Sequence, residues 1–97
     1  MEAGNVNEFI DNLSFQDEMI RYKGKLYYFY GVRFDKVRNI YYTSVDEFND
    51  DINHFSRELF YFESSSSKEC FEHLTEDKYW NGKSFWDVES EFTWVDE

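Results

Sequence analysis

The sequence predicts an α+β domain in which a small antiparallel sheet packs with two or three helices. The sheet is expected to be a three-stranded meander plus one or two C-terminal strands. Three observations carry this expectation. Residues 17–43 hold short aromatic and β-branched runs broken by turn residues. At Ser44 the apolar spacing switches to that of a helix. After Asn81-Gly82 an alternating run returns. Ninety-seven residues allow one domain, residues 1–97.

The elements follow in chain order. Val6, Phe9, Ile10 and Leu13 lie at helical spacing, and Asn5 with Glu8 resembles a capping pair, so a short helix is expected over 5–13. Met19–Tyr22, the turn Lys23-Gly24, and Lys25–Tyr30 read as a hairpin whose second strand continues through Gly31 to Phe34. Asp35–Asn39 is a polar turn, and Ile40–Thr43 is a third strand. Val45, Phe48, Ile52, Phe55, Leu59 and Phe62 are spaced 3, 4, 3, 4 and 3, which predicts an amphipathic helix capped by Ser44 and Glu47. Ser64–Ser67 is a link that ends it. A shorter helix follows, with Cys70, Phe71 and Leu74 inward and Ser66/Glu69 as its capping box. Asn81-Gly82 is the strongest turn signal. Residues 84–95 fit a strand (Trp86, Val88, Phe92, Trp94) and also a helix (Phe85, Val88, Phe92, Val95).

Composition removes several function classes. Leu, Ile, Val and Phe number 25, more than a charged disordered chain carries. The lone Cys70 rules out an intramolecular disulfide. No apolar run approaches the ~20 residues of a membrane span, so no membrane association is expected. Glu2, Glu8 and Asp11 in an opening stretch without basic residues do not read as a secretory leader. A cytoplasmic protein is the expectation. Direct nucleic-acid binding is disfavoured at a net charge of -11.

The core must be largely aromatic, because eleven Phe, eight Tyr and three Trp accompany only four Leu, four Ile, six Val and one Ala. A small domain cannot hide them all, and exposed Tyr and Trp are favoured partner anchors. The charge is unevenly spread. Residues 1–43 carry six acids and six bases, whereas residues 44–97 carry fifteen acids and four bases. On the expected helix, Asp46/Asp50 and Glu47/Asp51 are like-charge pairs at i,i+4. Glu69/Glu72 and Glu72/Glu76 repeat the pattern on the next helix. Such pairs cost up to ~0.5 kcal/mol each, which points to a face kept acidic for a cationic partner.

Catalytic equipment is missing from the pattern. Asn49-x-Asp51-x-Asn53 begins like a calcium loop, but His54 replaces the turn glycine and Phe60 the bidentate Glu. Cys70 and His73 make at most half a zinc site. Cys70 lies between Glu69 and Glu72 and reads as a core thiol. Four scattered glycines form no phosphate loop. No catalytic residue, cofactor or metal is expected, and the chain is not expected to be an enzyme.

The acidic segment Val45–Phe62, the closing segment Asn81–Glu89 and the final Trp94-Val95-Asp96 resemble, in type, the small acidic immunity proteins of bacterial interbacterial-toxin systems, including contact-dependent inhibition. That resemblance implies a protein inhibitor that neutralises a toxin nuclease, and it assigns no role to any single residue. Asp46, Glu47, Asp50 and Asp51 are the expected steering charges, with Asp87, Glu89 and Glu91 next. Tyr79, Trp80 and Trp86, around the Asn-Gly turn, are the expected anchors, although Trp80 and Trp86 also fit a cross-strand pair. The alternative is a phage- or plasmid-encoded DNA mimic that blocks a defence protein, with helical carboxylates ~6 Å apart imitating a phosphate track. A third reading is an acidic adaptor or scaffold, including a homo-oligomer.

Overall fold

The computed structural model describes residues 1–95; Asp96, at the end of the closing run, lies outside the described residues. The element order is α1 (Val6–Asn12), β1 (Glu18–Tyr22), β2 (Lys25–Asp35), β3 (Ile40–Phe48), β4 (Phe55–Ser64), α2 (Ser67–Glu76), α3 (Phe85–Val88), a 3₁₀ turn (Glu89–Glu91) and β5 (Thr93–Val95). The protein is α+β. Its five strands form one antiparallel sheet in the order β4-β3-β2-β1-β5, so the meander and the C-terminal strand are both present. Among the described residues, no helix is long and apolar enough to cross a membrane.

Local chemistry explains most boundaries. The Asn5 side chain accepts from the backbone N–H groups of Asn7 and Glu8 and starts α1. Lys23 and Gly24 both take positive φ, the geometry of a tight hairpin turn. Ser66 caps α2 by accepting from Glu69 N–H, but the Glu69 carboxylate accepts from Ser64 Oγ instead of completing a box. The full capping box belongs to α3, between Ser84 and Asp87. Residues 84–95 are divided: α3 and the 3₁₀ turn occupy the first part, and only Thr93–Val95 is strand.

The helix expected between Val45 and Phe62 does not form. Its residues make the end of β3, a tip at 49–54, and β4. The apolar spacing that mimics a helix is drawn from both faces of two strands and from the tip between them, and the second strand carries bulges. Asp46 pairs with Glu58 and Val45 with Phe60, which leaves Leu59 extra. Glu47 pairs with Arg57 and Phe48 with Phe55, which leaves Ser56 extra. Composition favours this outcome. Four Phe and a Tyr between 48 and 62 prefer strands, and Asn49-Asp50-Asp51 with Asn53 prefers a turn. Asp50 has a φ of 54°, which no right-handed helix tolerates. The bulges also twist β4, a sheet edge, away from further pairing.

All three helices lie over one face of the sheet, here the inner face. Phe9 and Leu13 from α1, Leu74 from α2 and Phe85 and Val88 from α3 meet Ile20, Tyr22, Tyr27, Phe29 and Val45 from the strands. Trp80 and Phe92 fill the centre, with Trp80 stacked on Phe29 at 6.2 Å and tilted on Phe92 at 5.0 Å. The aromatic core expected from composition is present. On the opposite, outer face Met19, Leu26 and Phe48 form a small buried cluster, drawn among the described residues from strands alone. An antiparallel sheet tolerates such a solvated face.

Candidate partner-binding surface

Strand alternation decides which residues the outer face presents. Tyr28 and Tyr30 come from β2, Tyr42, Ser44 and Asp46 from β3, and Glu58, Tyr61 and Glu63 from β4. Tyr28 opposes Asp46, Asp46 opposes Glu58, Ser44 opposes Tyr61, and Tyr42 opposes Glu63. The rings of Tyr28 and Tyr30 lie 4.7 Å apart, and those of Tyr42 and Tyr61 stack at 6.5 Å. Toward the β3–β4 tip, Phe55 meets Phe48 edge to face at 5.6 Å. Several aromatics here remain open to solvent: Tyr61 at 46%, Phe55 at 58% and, on the loop after α1, Phe15 at 72%. Phe15 lines a groove of about 580 Å³ with Tyr30, Arg33 and Tyr42.

Hydroxyls and carboxylates are matched across this face. Tyr30 OH donates to Asp46 Oδ2 at 2.7 Å, Tyr28 OH to Asp17 at 2.7 Å, and Tyr61 OH to Glu63 at 3.0 Å. Partial burial, then the Asp46 hydrogen bond, pushes the Tyr30 hydroxyl up to about 12. Tyr61 is raised by burial and by Glu63. Both stay protonated donors at neutral pH. Arg33 pairs with Asp17, and Arg38 with Asp35 and Glu63. Glu58 is different. It is exposed, faces Asp46 directly, and has no ion pair or hydrogen bond among the described residues.

The expected site residues do not share one surface. Asp46 is on the outer face, but Glu47, the next residue along the strand, points to the inner face and is only 3% exposed. There it accepts from Tyr27 OH at 3.0 Å and lies 3.3 Å from Arg57 Nε and 3.4 Å from Lys25 Nζ. Burial alone would raise its pKa. Hydrogen bonds from Tyr27 and Ser56, with the Arg57 charge, outweigh that and hold it below the usual carboxylate range. It therefore fastens the fold and cannot steer a partner. Asp50 and Asp51 sit at the β3–β4 tip with His54, whose Nδ1 is 2.9 Å from Asp51 Oδ2. These three could each offer one ligand atom to a cation, the atoms lying within 4.8 Å of one another, but exposed acids gather this way without an ion.

The remaining expected residues are mostly committed to the fold. Trp80 is 4% exposed and belongs to the core, so it forms no cross-strand pair with Trp86. Tyr79 stacks on Phe60 at 4.3 Å, and its hydroxyl donates to the Leu74 carbonyl at 2.5 Å. The Asn81-Gly82 turn closes as expected, between Trp80 and Lys83, but it leads into α3 and not a second strand. Asp87 completes the α3 cap, and Glu89 lies 3.2 Å from the Met1 amino group. Glu91 is exposed in the 3₁₀ turn. Trp86, at 48%, is the one expected anchor left accessible.

Sequence reasoning missed Tyr28, Tyr30, Tyr42, Tyr61 and Glu58. A signal existed: in Tyr28-Phe29-Tyr30 and Phe60-Tyr61-Phe62, phenylalanine and tyrosine alternate, and in each the face opposite the phenylalanine carries hydroxyl groups. Comparison of the chain with protein-family models, curated proteins and solved structures finds no match.

Proposed function

We propose that this protein is a binding module for a basic protein, and that it acts as an inhibitor of the immunity type, neutralising a toxin nuclease. The docking surface is the outer face of the sheet. The observation that supports this most is the Asp46–Glu58 pair. Like charges directly opposite across strands weaken a sheet, and here no cation lies between them among the described residues. A lysine or arginine supplied from outside relieves both carboxylates at once. Tyr30, Tyr42, Tyr61 and Phe55 surround the pair with rigid rings, the side chains that hold a partner once charge has brought it in. The charge of -11 attracts a nuclease whose own basic cleft serves to grip phosphates. Steering then sets the association rate and ring burial the dissociation rate.

Of the helical carboxylates behind the DNA-mimic alternative, Asp46, Glu47, Asp50 and Asp51 lie in a strand and a tip and make no row, whereas Glu69, Glu72 and Glu76 do lie on a helix, α2.

The test is co-expression. The products of the genes on either side of the one encoding this chain are each produced with and without this chain, and growth is scored. Rescue by wild type, and loss of rescue with Asp46→Lys plus Glu58→Lys, is the expected pair of results. Rescue that survives both substitutions would remove the outer face from the reading. Absence of rescue by wild type would remove the inhibitor role.

A further inference from the structure

A second feature lies at the β1–β5 end of the sheet. Glu18, at the start of β1, is 8% exposed and lies on the inner side, yet among the described residues it has no cationic partner. Three neutral groups hold its carboxylate: Asn12 Nδ2 at 3.0 Å and Gln16 Nε2 at 2.6 Å on Oε1, and Trp94 Nε1 at 2.8 Å on Oε2. These bonds tie α1, the following loop and β5 to β1. They do not neutralise the charge. Buried charges are ordinarily paired or bound to a cation.

Glu18 also lines a cleft of about 540 Å³ between the N-terminal segment and the outer face. That volume is within the roughly 300–1,000 Å³ of small-ligand sites. Glu8 and Asp17 line it as well, and among the described residues no lysine or arginine does. Asp17 is already matched by Arg33 and Glu8 is exposed to solvent, so the buried uncompensated charge is that of Glu18. Apolar wall comes from Trp94, Met19 and Val95. Gly4 lets the N-terminal segment lie close against this wall, because a Cβ there would fall 2.0 Å from the Trp94 ring.

We infer that this cleft is a socket for an ammonium head on an alkyl stem. A carboxylate offers about four acceptor sites, and Asn12, Gln16 and Trp94 fill three. One site remains on Oε2, which suits a single N–H donor. A guanidinium fork asks for both oxygens and finds Oε1 taken. The aromatic and aliphatic wall matches a four-carbon stem. The inference goes beyond the docking reading and stands without it.

Two probes separate the sources of such a group: n-butylammonium as a free amine, and a blocked Gly-Lys-Gly peptide as a chain-borne lysine. The readout is the Trp94 indole N–H in proton–nitrogen spectra. A saturable shift with either probe is expected, with the matching arginine peptide at least fivefold weaker and the neutral norleucine peptide silent. The probe that binds names the source. Equal shifts with norleucine, or no shift with either amine, would overturn the socket. Glu18→Gln should abolish the shift with the remaining spectrum intact. Should that variant unfold, the norleucine comparison decides alone. The outer face is scored separately through Asp46 and Glu58, so a failed socket leaves the docking reading standing, and a failed docking leaves the socket.

Discussion

Gly24 and Gly31 share one backbone conformation, with φ of 79° and 77°, and differ in what surrounds them. A Cβ on Gly24 meets nothing within 4 Å, whereas one on Gly31 falls 2.6 Å from the Leu13 carbonyl oxygen. Gly31 sits in the β2 bulge where the loop after α1 crosses, with Val32 N–H donating to that same oxygen at 2.9 Å. Gly24→Ala should therefore cost only the left-handed penalty, about 1–2 kcal/mol. Gly31→Ala should cost at least about twice that, because backbone must also move. Urea denaturation of the two variants checks the ratio. Glu47 gives a second prediction at this scale. Its folded pKa lies below its unfolded value, so its stabilisation is complete above the ordinary Glu range near ~4.3 and is lost as pH falls through the folded value. Glu47→Gln should lose about 1–3 kcal/mol at neutral pH, and the gap to wild type should close as pH falls below the folded value. A gap that stayed constant with pH would mean that the charge of Glu47 contributes nothing.

Strands that own a strong turn were legible, and strands built on bulges were not. The β1–β2 hairpin follows directly from Lys23-Gly24, and β3 begins where the β-formers Ile40–Thr43 predict. The β3–β4 hairpin was hidden because its apolar residues fall on both faces, Val45 and Phe62 inward and Phe48 and Phe55 outward, with Ile52 at the tip and Leu59 at a bulge, and together they happen to fall at helical spacing. A period alone cannot tell these cases apart. The preference of Phe and Tyr for strands, and of Asn and Asp for turns, could have done so. The site suffered with the element. Asp46 was found for the wrong neighbours, and Glu58, its true opposite, was missed. That pairing predicts a gain. Glu58→Lys replaces a like-charge pair with an opposite-charge pair and should stabilise the sheet by about 0.2–1 kcal/mol, read as a higher melting temperature. The same substitution should weaken a basic partner. A surface that becomes more stable as it stops binding is one kept acidic for its partner, and a melting temperature that did not rise would remove the argument from the Asp46–Glu58 pair.

At the scale of the whole molecule, layering and charge act together. One helical layer covers one face of the sheet, so the hydrophobic core is complete while the other face stays open. A chain of 97 residues carrying -11 also repels itself, and that repulsion is screened by salt within a Debye length of ~10 Å at 0.1 M. Salt should therefore raise the melting temperature of the free protein, since its acids outnumber its bases by 21 to 10 and few ion pairs are buried enough to be lost. Salt should act in the opposite sense on association. The on-rate with a basic partner should fall by tenfold or more between about 10 mM and 0.5 M salt, because steering is electrostatic. The off-rate should change much less, because the tyrosine and phenylalanine rings of the outer face carry the contact once water is expelled. Surface plasmon resonance at several salt concentrations separates the two rates. An off-rate that rose as steeply as the on-rate fell would mean that charge alone holds the complex, and the aromatic half of the docking surface would have to be given up.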